Sequence, residues 1–257
     1  MKYTEESMFG IKGEVAIITG AGSGLGYEIA FAMAKLGAKT VLVDVDEEKL
    51  GEKAGIIQKE GCVAVGMKVD VAKKDQVQDM AKRVFSEYGK IDILVNSAGI
   101  VHLQDAVDFE EEIWDKVMAV NIKGTMLACQ AVGRYMVEKG KGRIVNISSV
   151  RGMQGRAKDL AYAPSKGAVD QLTRSLAIEW AKHGVNVNSV APAFTLTDIS
   201  REILADKNTM DSVLGRFPMG RLGEPGDITG PVIFLCGESA GFITGQVLYV
   251  DGGWTCA

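Results

Sequence analysis

With 257 residues, 47% of them hydrophobic and 24% charged, the chain is long and apolar enough for one large α/β domain, which excludes a disordered protein. A net charge of −4, with no basic cluster richer than Lys139, Lys141 and Arg143, excludes a nucleic-acid binder, which must neutralise phosphates. No apolar run approaches the ~18 residues of a membrane span, and the charged N-terminus, four scattered cysteines and two distant histidines predict a cytoplasmic protein with reduced thiols and no metal site.

Short, nearly all-apolar runs alternate with longer amphipathic stretches. Strands are expected at 15–19, 40–44, 62–69, 91–96, 143–148, 185–192 and 247–252. Helices are expected at 24–37, 47–61, 74–89, about 109–139 and 161–184. Helices between strands buried on both faces predict right-handed βαβ units, hence a doubly wound parallel sheet of Rossmann type. No linker interrupts this order, so one domain is expected. Residues 193–226 read as a loop-and-helix flap beyond a strand end, where ligands of such sheets bind.

Between the first strand and the first helix stands "TGAGSGLG", with Gly20, Gly22, Gly24 and Gly26. Glycines there let the backbone turn sharply and approach a pyrophosphate, which the helix N-terminus stabilises. A tight strand-to-helix turn needs glycine too, but the strand before, the helix after and an acid further on favour a dinucleotide. No GK[ST] follows, so a P-loop is excluded. The acid is Asp44, 18 positions after Gly26 at the end of the second strand. A carboxylate there can accept both ribose hydroxyls and repels a 2′-phosphate. Ser23 stands where a base could have gripped that phosphate, so NAD is expected over NADP.

Tyr162 and Lys166 in "YAPSK" share one helical face. Such pairs are common on protein surfaces, so the motif means little alone. Other motifs stand around it: Thr-Gly-x-x-x-Gly-x-Gly at 19–26, "VDV" at 69–71, "NSAG" at 96–99, Asn121 in "VNIKG", Ser149 in "NISSV", "APAFTLT" at 191–197 and "ITGQVLYVDGG" at 243–253. In this order they resemble the short-chain dehydrogenases/reductases from about Phe9 to Gly253.

The resemblance implies an oxidoreductase with Asn121, Ser149, Tyr162 and Lys166 as its catalytic residues. It implies that Gly20, Ser23, Gly24, Leu25, Gly26, Asp44, Asp70, Val71, Asn96, Ala98, Gly99, Pro192, Thr195 and Thr197 join Tyr162 and Lys166 in binding the cofactor. It implies further that Asn121 holds a water linking Lys166 to solvent, and that the chain forms a homotetramer. In one departure, Ala193 stands where the family usually has glycine, and alanine would be strained if that turn needs positive φ.

A free tyrosine titrates near pH ~10, and an ammonium one turn away is expected to lower that value. Tyr162 would then take the proton of an alcohol as hydride leaves, or return it. Ser149 would hold the substrate oxygen. Arg151, Arg156 and His102 are expected to border the substrate, and arginine pairs well with carboxylates. The "GR" at 155–156 and the ending "DGGWT" resemble sugar-acid dehydrogenases of the family such as gluconate 5-dehydrogenases. The expected reaction is hydride transfer between NAD and a secondary alcohol or ketone of a sugar, polyol or sugar acid. The "GRLGEP" stretch also resembles 3-oxoacyl-acyl-carrier-protein reductases, and a dinucleotide-sensing regulator is the non-enzymatic alternative, though it would not need all four catalytic positions.

Overall fold

Seven parallel strands form one sheet in the order β3-β2-β1-β4-β5-β6-β7 in a computed structural model that describes residues 9–196 and 206–256. The strands are β1 (Val15–Thr19), β2 (Lys39–Asp44), β3 (Ala64–Lys68), β4 (Ile93–Asn96), β5 (Gly142–Ile147), β6 (Val185–Pro192) and β7 (Val247–Val250). Every residue of β1, β4, β5 and β6 is buried, as strands covered on both faces must be.

Alternation splits each strand between two cores. Ala16 and Ile18 of β1 join the core under α1 (Gly24–Lys35), α2 (Glu47–Lys59) and α8 (Pro225–Cys236). Val15 and Ile17 join the core under α3 (Lys74–Tyr88), α5 (Thr125–Lys139) and α6 (Tyr162–Trp180). The strand order reverses between β1 and β4. A crevice therefore opens at their carboxyl ends, where Thr19 lies beside Asn96 and Asn96 beside Asn146.

Two elements depart from the sequence reading. The long helix expected at 109–139 is α4 (Glu111–Met118) and α5, separated by a wider π turn at Ala119–Gly124. Gly124 within that turn lets the chain approach the loop after β3, since a Cβ there would fall 2.8 Å from Val71 Cγ2. Helix α8 was not expected, since the sequence reading assigned no element to 227–246. Pro225 opens it, and Glu224 and Asp227 cap each other's backbone N–H groups. Before it, the short helix α7 (Lys207–Leu214) and the following turn set Val213, Phe217 and Leu222 against Trp254 and Val150.

At the opposite end of the sheet, Asp92 is 4% exposed and accepts the Val15 N–H at 2.9 Å. It also pairs with Lys139 and with Lys90, the latter at 2.8 Å. Burial opposes its ionisation, but hydrogen bonds with Glu14, Lys139, Lys90 and the Val15 N–H outweigh it and hold the carboxyl well below the usual carboxylate range. A depressed pKa stabilises the fold above the unfolded value and ceases to do so as pH falls through the folded one. Asp92→Ala is therefore expected to cost about 2–3 kcal/mol in urea unfolding at pH 7. The gap from the native chain should narrow below about pH 4. A constant gap from pH 7 to pH 3 would refute the ionic part of this account.

Candidate active site

The site begins where β1 turns into α1. Gly20 has φ +67°, and a Cβ on it would lie 2.7 Å from the Ala98 backbone. A Cβ on Gly26 would lie 2.2 Å from the Gly20 carbonyl oxygen, so neither position tolerates a side chain. Helix α1 opens with Ser23 making no side-chain cap and with no acidic residue in its first turn. Its first N–H groups are left to an anion, as a pyrophosphate cradle requires.

Asp44 at the end of β2 accepts the N–H groups of Gly22 at 3.0 Å, Val45 at 2.7 Å and Asp46 at 3.2 Å. Gly22 has no side chain because Asp44 occupies the space: a Cβ there would sit 3.0 Å from the carboxylate carbon. The nearest strand partner, Lys68, is paired with Glu47 at 3.2 Å.

A cleft of about 710 Å³ runs from this acid to the far strand ends. Gly20, Ser23, Gly24, Leu25, Gly26 and Asp44 line one part, and Asp70, Val71, Ala98 and Gly99 the next. Ser149, Arg151, Arg156, Tyr162, Lys166, Pro192 and Thr195 line the rest. Thr19, which the sequence reading passed over, orients the loop after β4 by accepting the N–H groups of Ser97 and Ala98, both at 3.2 Å. A hydroxyl ending β1 ahead of the glycines was its only signal.

Two expected residues lie elsewhere, and a third cannot be placed. Asn96 turns into the core at 3% exposure and donates to Asn146 Oδ1 at 2.9 Å and Cys129 Sγ at 3.2 Å, so its side chain faces away from the cleft. His102 packs edge-on against Phe109, ring centroids 6.0 Å apart, and is not part of the lining. Thr197 is outside the described residues. Ala193 does line the cleft, and the strain anticipated there is absent, because Lys158 is the one described non-glycine residue with positive φ.

Asn121 sits behind the lining, in the π turn. It accepts the Ile100 N–H at 2.9 Å and donates to the Ile100 carbonyl at 2.9 Å and to Ser165 Oγ at 3.0 Å. It thus joins the loop after β4 to the first turn of α6. The wide turn frees the asparagine for this bridge, which a regular helix would not favour.

Helix α6 begins at Tyr162, and Pro164 lies in its first turn, where a missing N–H costs little. Ser165 Oγ donates to the Tyr162 carbonyl at 2.7 Å and closes that turn. The Ser149 hydroxyl acts on the Tyr162 phenol and favours its ionised form. Lys166 Nζ lies 5.5 Å from the centre of the Tyr162 ring and donates to the Ile147 carbonyl at 2.7 Å.

The expectation that Lys166 lowers the Tyr162 pKa is corrected here. Burial pushes the phenol up, the Ser149 hydrogen bond pulls it down, Asp159 pushes it up, and Arg156 and Arg151 pull it down, with burial prevailing. Burial also lowers Lys166 to about 8 against the opposing pull of Asp170. Lysine acts on the ring and the Ile147 carbonyl rather than on the phenol oxygen. The protonated phenol is suited to giving a proton to a carbonyl oxygen that Ser149 can also reach.

Over this pair stand Arg151, 7% exposed, and Arg156. Arg151 donates to the Gly155 carbonyl at 3.2 Å and lies 5.7 Å from the Trp254 ring centre; Arg216 lies 4.0 Å from that same centre. Arg156 pairs with Asp159 at 3.6 Å. Among the described residues, the buried Asp159 thus acts on the guanidiniums of Arg156 and Arg151, and Arg216 lies near Arg151. Among the described residues no helix is long and apolar enough to cross a membrane.

This arrangement has counterparts among known proteins. A family model described as Enoyl-(Acyl carrier protein) reductase matches residues 20–255. The 2-dehydro-3-deoxy-D-gluconate 5-dehydrogenase of Bacillus subtilis (strain 168) is 39% identical over 246 residues, 96% of each chain. The NAD-dependent glycerol dehydrogenase of Listeria innocua serovar 6a is 37% identical over 247 residues, 96% of each chain. A solved gluconate 5-dehydrogenase from Burkholderia cenocepacia J2315, in complex with NADP and tartrate, is 37% identical and gives a TM-score of 0.95 over 99% of this chain and 100% of that one. With its glycine cradle, its Ser149–Tyr162–Lys166 cluster and its seven-stranded sheet, the chain belongs to the short-chain dehydrogenase/reductase family of NAD(P)-dependent oxidoreductases.

Proposed function

We propose that this enzyme interconverts a secondary alcohol and a ketone on a sugar acid, using NAD(H). The observation that carries the substrate class is the positive charge beside the Ser149–Tyr162 pair, where Arg151 and Arg156 line the cleft and, among the described residues, Asp159 is the carboxylate that acts on both. Arginine binds carboxylates through paired, charge-assisted hydrogen bonds. The names of the sugar-acid relatives point the same way.

When bound, the nicotinamide supplies the hydride acceptor or donor. The chain's residues do the rest. Gly20, Ser23, Gly24, Leu25 and Gly26 would hold the pyrophosphate, Asp44 the adenosine ribose, and Asp70 and Val71 the adenine side. Ala98, Gly99, Pro192 and Thr195 would border the nicotinamide side, with Thr197 following. Ser149 would hold the substrate oxygen, Tyr162 would give or take its proton, and Lys166 would bind the ribose from below. Asn121 would support the pair by fixing Ile100 and Ser165. At neutral pH the protonated phenol favours ketone reduction, and alcohol oxidation should strengthen as pH rises toward the Tyr162 pKa.

Asp44 supports NAD over NADP. Its charge faces the ribose end, and Lys68 is occupied by Glu47. The kcat/KM for NAD should exceed that for NADP by at least about tenfold, and Asp44→Ser should erase most of that ratio. Equal efficiency with both cofactors in the native enzyme would contradict this argument.

The segment 193–226 is read as a flap over the substrate. Ile178, 83% exposed on the helix that carries Tyr162, and Phe242, fully exposed, support a homotetramer, and a cytoplasmic enzyme is inferred. A monomer in sedimentation would overturn the assembly. The substrate reading is tested by following NADH formation with aldonates, their polyols and 3-hydroxyacyl thioesters. Turnover of aldonates above the other two supports it. Preference for thioesters would favour the acyl reductase alternative, and NAD binding without any turnover would favour a sensor.

A further inference from the structure

Beyond β7 the chain folds back onto the substrate end of the cleft. Gly252 has φ +60° and Gly253 φ +87°, a left-handed path that favours glycine. Asp251 closes the turn by accepting the N–H groups of Gly253 at 3.0 Å and Thr255 at 2.9 Å. This turn delivers Trp254, which is 2% exposed and is not part of the cleft lining. Trp254 Nε1 donates to Gln154 Oε1 at 3.0 Å, so the indole is fixed to the loop that follows Ser149. Gln154 also lies outside the lining.

Two arginines and two rings meet here. Arg151 Cζ lies 5.7 Å from the Trp254 ring centre, and Arg156 Cζ 5.9 Å from that of Phe194. The two rings are themselves 5.9 Å apart, centre to centre. Arg216, exposed beyond α7, takes the same indole at 4.0 Å and pins it from that side. A guanidinium over an aromatic face is held by the ring's quadrupole and gives up no hydrogen bond to a competing acceptor. A carboxylate partner would instead occupy its paired donors and cancel its charge. Arg156 has such a partner in Asp159 at 3.6 Å. Arg151 is 7% exposed, forms no ion pair among the described residues, and donates from Nη1 to the Gly155 carbonyl at 3.2 Å. A cation buried this far needs a partner, and the indole supplies one without closing the guanidinium to a ligand.

We propose that Trp254 is a positioning residue that acts through Arg151, its indole holding the buried guanidinium beside the cleft so that N–H donors stay free for a substrate carboxylate. Phe194 extends the same aromatic platform to Arg156. The chain end, which touches none of the cleft, thereby becomes a determinant of substrate charge. The proposal rests on the reading of the substrate as a sugar acid, and one arm of its test needs no substrate.

Trp254→Phe keeps a ring for Arg151 and loses the bond to Gln154, whereas Trp254→Leu loses the ring as well. With gluconate, Trp254→Leu should raise KM about tenfold, the size of one partly desolvated cation–π contact, and leave kcat within about twofold. Trp254→Phe should stay within about threefold of the native KM. KM for glucitol should change by less than about twofold in both, because a polyol brings no carboxylate to Arg151. Equal rises in the two variants, or equal rises for gluconate and glucitol, would make the indole a packing residue and overturn the proposal. If Trp254→Leu does not fold, Gln154→Ala decides: releasing the indole should raise KM for gluconate and spare glucitol, and an unchanged gluconate KM would overturn the proposal. In the substrate-free protein, modification of Arg151 by phenylglyoxal is followed by peptide mass spectrometry. It should run about tenfold faster in Trp254→Leu and near the native rate in Trp254→Phe. Native rates in both would overturn the proposal. The expected contrast in an enzyme that oxidises no aldonate would leave the hold on Arg151 intact and overturn the sugar-acid reading instead.

Discussion

Tyr162→Phe is expected to lower kcat by about three orders of magnitude while dinucleotide affinity stays within a factor of about three. The substitution removes one oxygen and little else. The ring keeps its place at the start of α6, because the turn is closed through the Tyr162 carbonyl and Ser165. Lys166 keeps its bond to Ile147 and its place over the ring. What disappears is the proton that must move as the substrate oxygen changes charge, and with it the oxygen on which Ser149 acts. General acid–base catalysis contributes roughly 10²–10⁴-fold, which sets the size of the loss. Fluorescence quenching by NADH would read binding separately. Full activity in the variant would remove Tyr162 from the mechanism, and loss of binding together with turnover would make its role structural.

The second large effect belongs to Arg156. Arg156→Gln is expected to raise KM for an aldonate by about 30-fold, near 2 kcal/mol for one charge-assisted contact, and to change KM for the matching polyol by less than about twofold. The single variant also strands Asp159, whose side chain is fully buried and already pushed upward by burial against the pull of Arg156. A stability loss of about 1–3 kcal/mol should accompany it. Adding Asp159→Asn removes the stranded charge. The double variant should regain thermal stability but not the aldonate KM. Equal effects on acid and polyol would show that Arg156 shapes the site without reading the carboxylate.

What the sequence made legible followed from local chemistry. Strands covered on both faces run largely apolar, so 15–19 could be bounded to the residue, and so was 185–192 although Asn186, Asn188 and Ser189 interrupt it. The glycines of 20–26 have few reasons to cluster between a strand and a helix, and each of Gly20 and Gly26 meets backbone where a Cβ would be. Helix α8 was left unassigned; Pro225 opens it and Pro231 is carried inside it. The π turn was hidden because its cause is a partner 21 positions earlier, the backbone of Ile100. The direction of Asn96 and the raised pKa of Tyr162 are tertiary effects. One depends on the space beside Cys129 and Asn146, the other on how deeply the α6 N-terminus is set in the cleft.

The account's central claim is direct hydride transfer from a carbinol carbon of a sugar acid to the cofactor held in this cleft. An aldonate deuterated at its carbon-bound positions, oxidised by the native enzyme in ordinary water with NAD, tests it through the mass of the reduced cofactor. The account predicts reduced NAD heavier by one deuterium, formed at a rate that Tyr162→Phe lowers by about three orders of magnitude. Unlabelled NADH, or no oxidation of any aldonate under conditions where NAD binds, would contradict it.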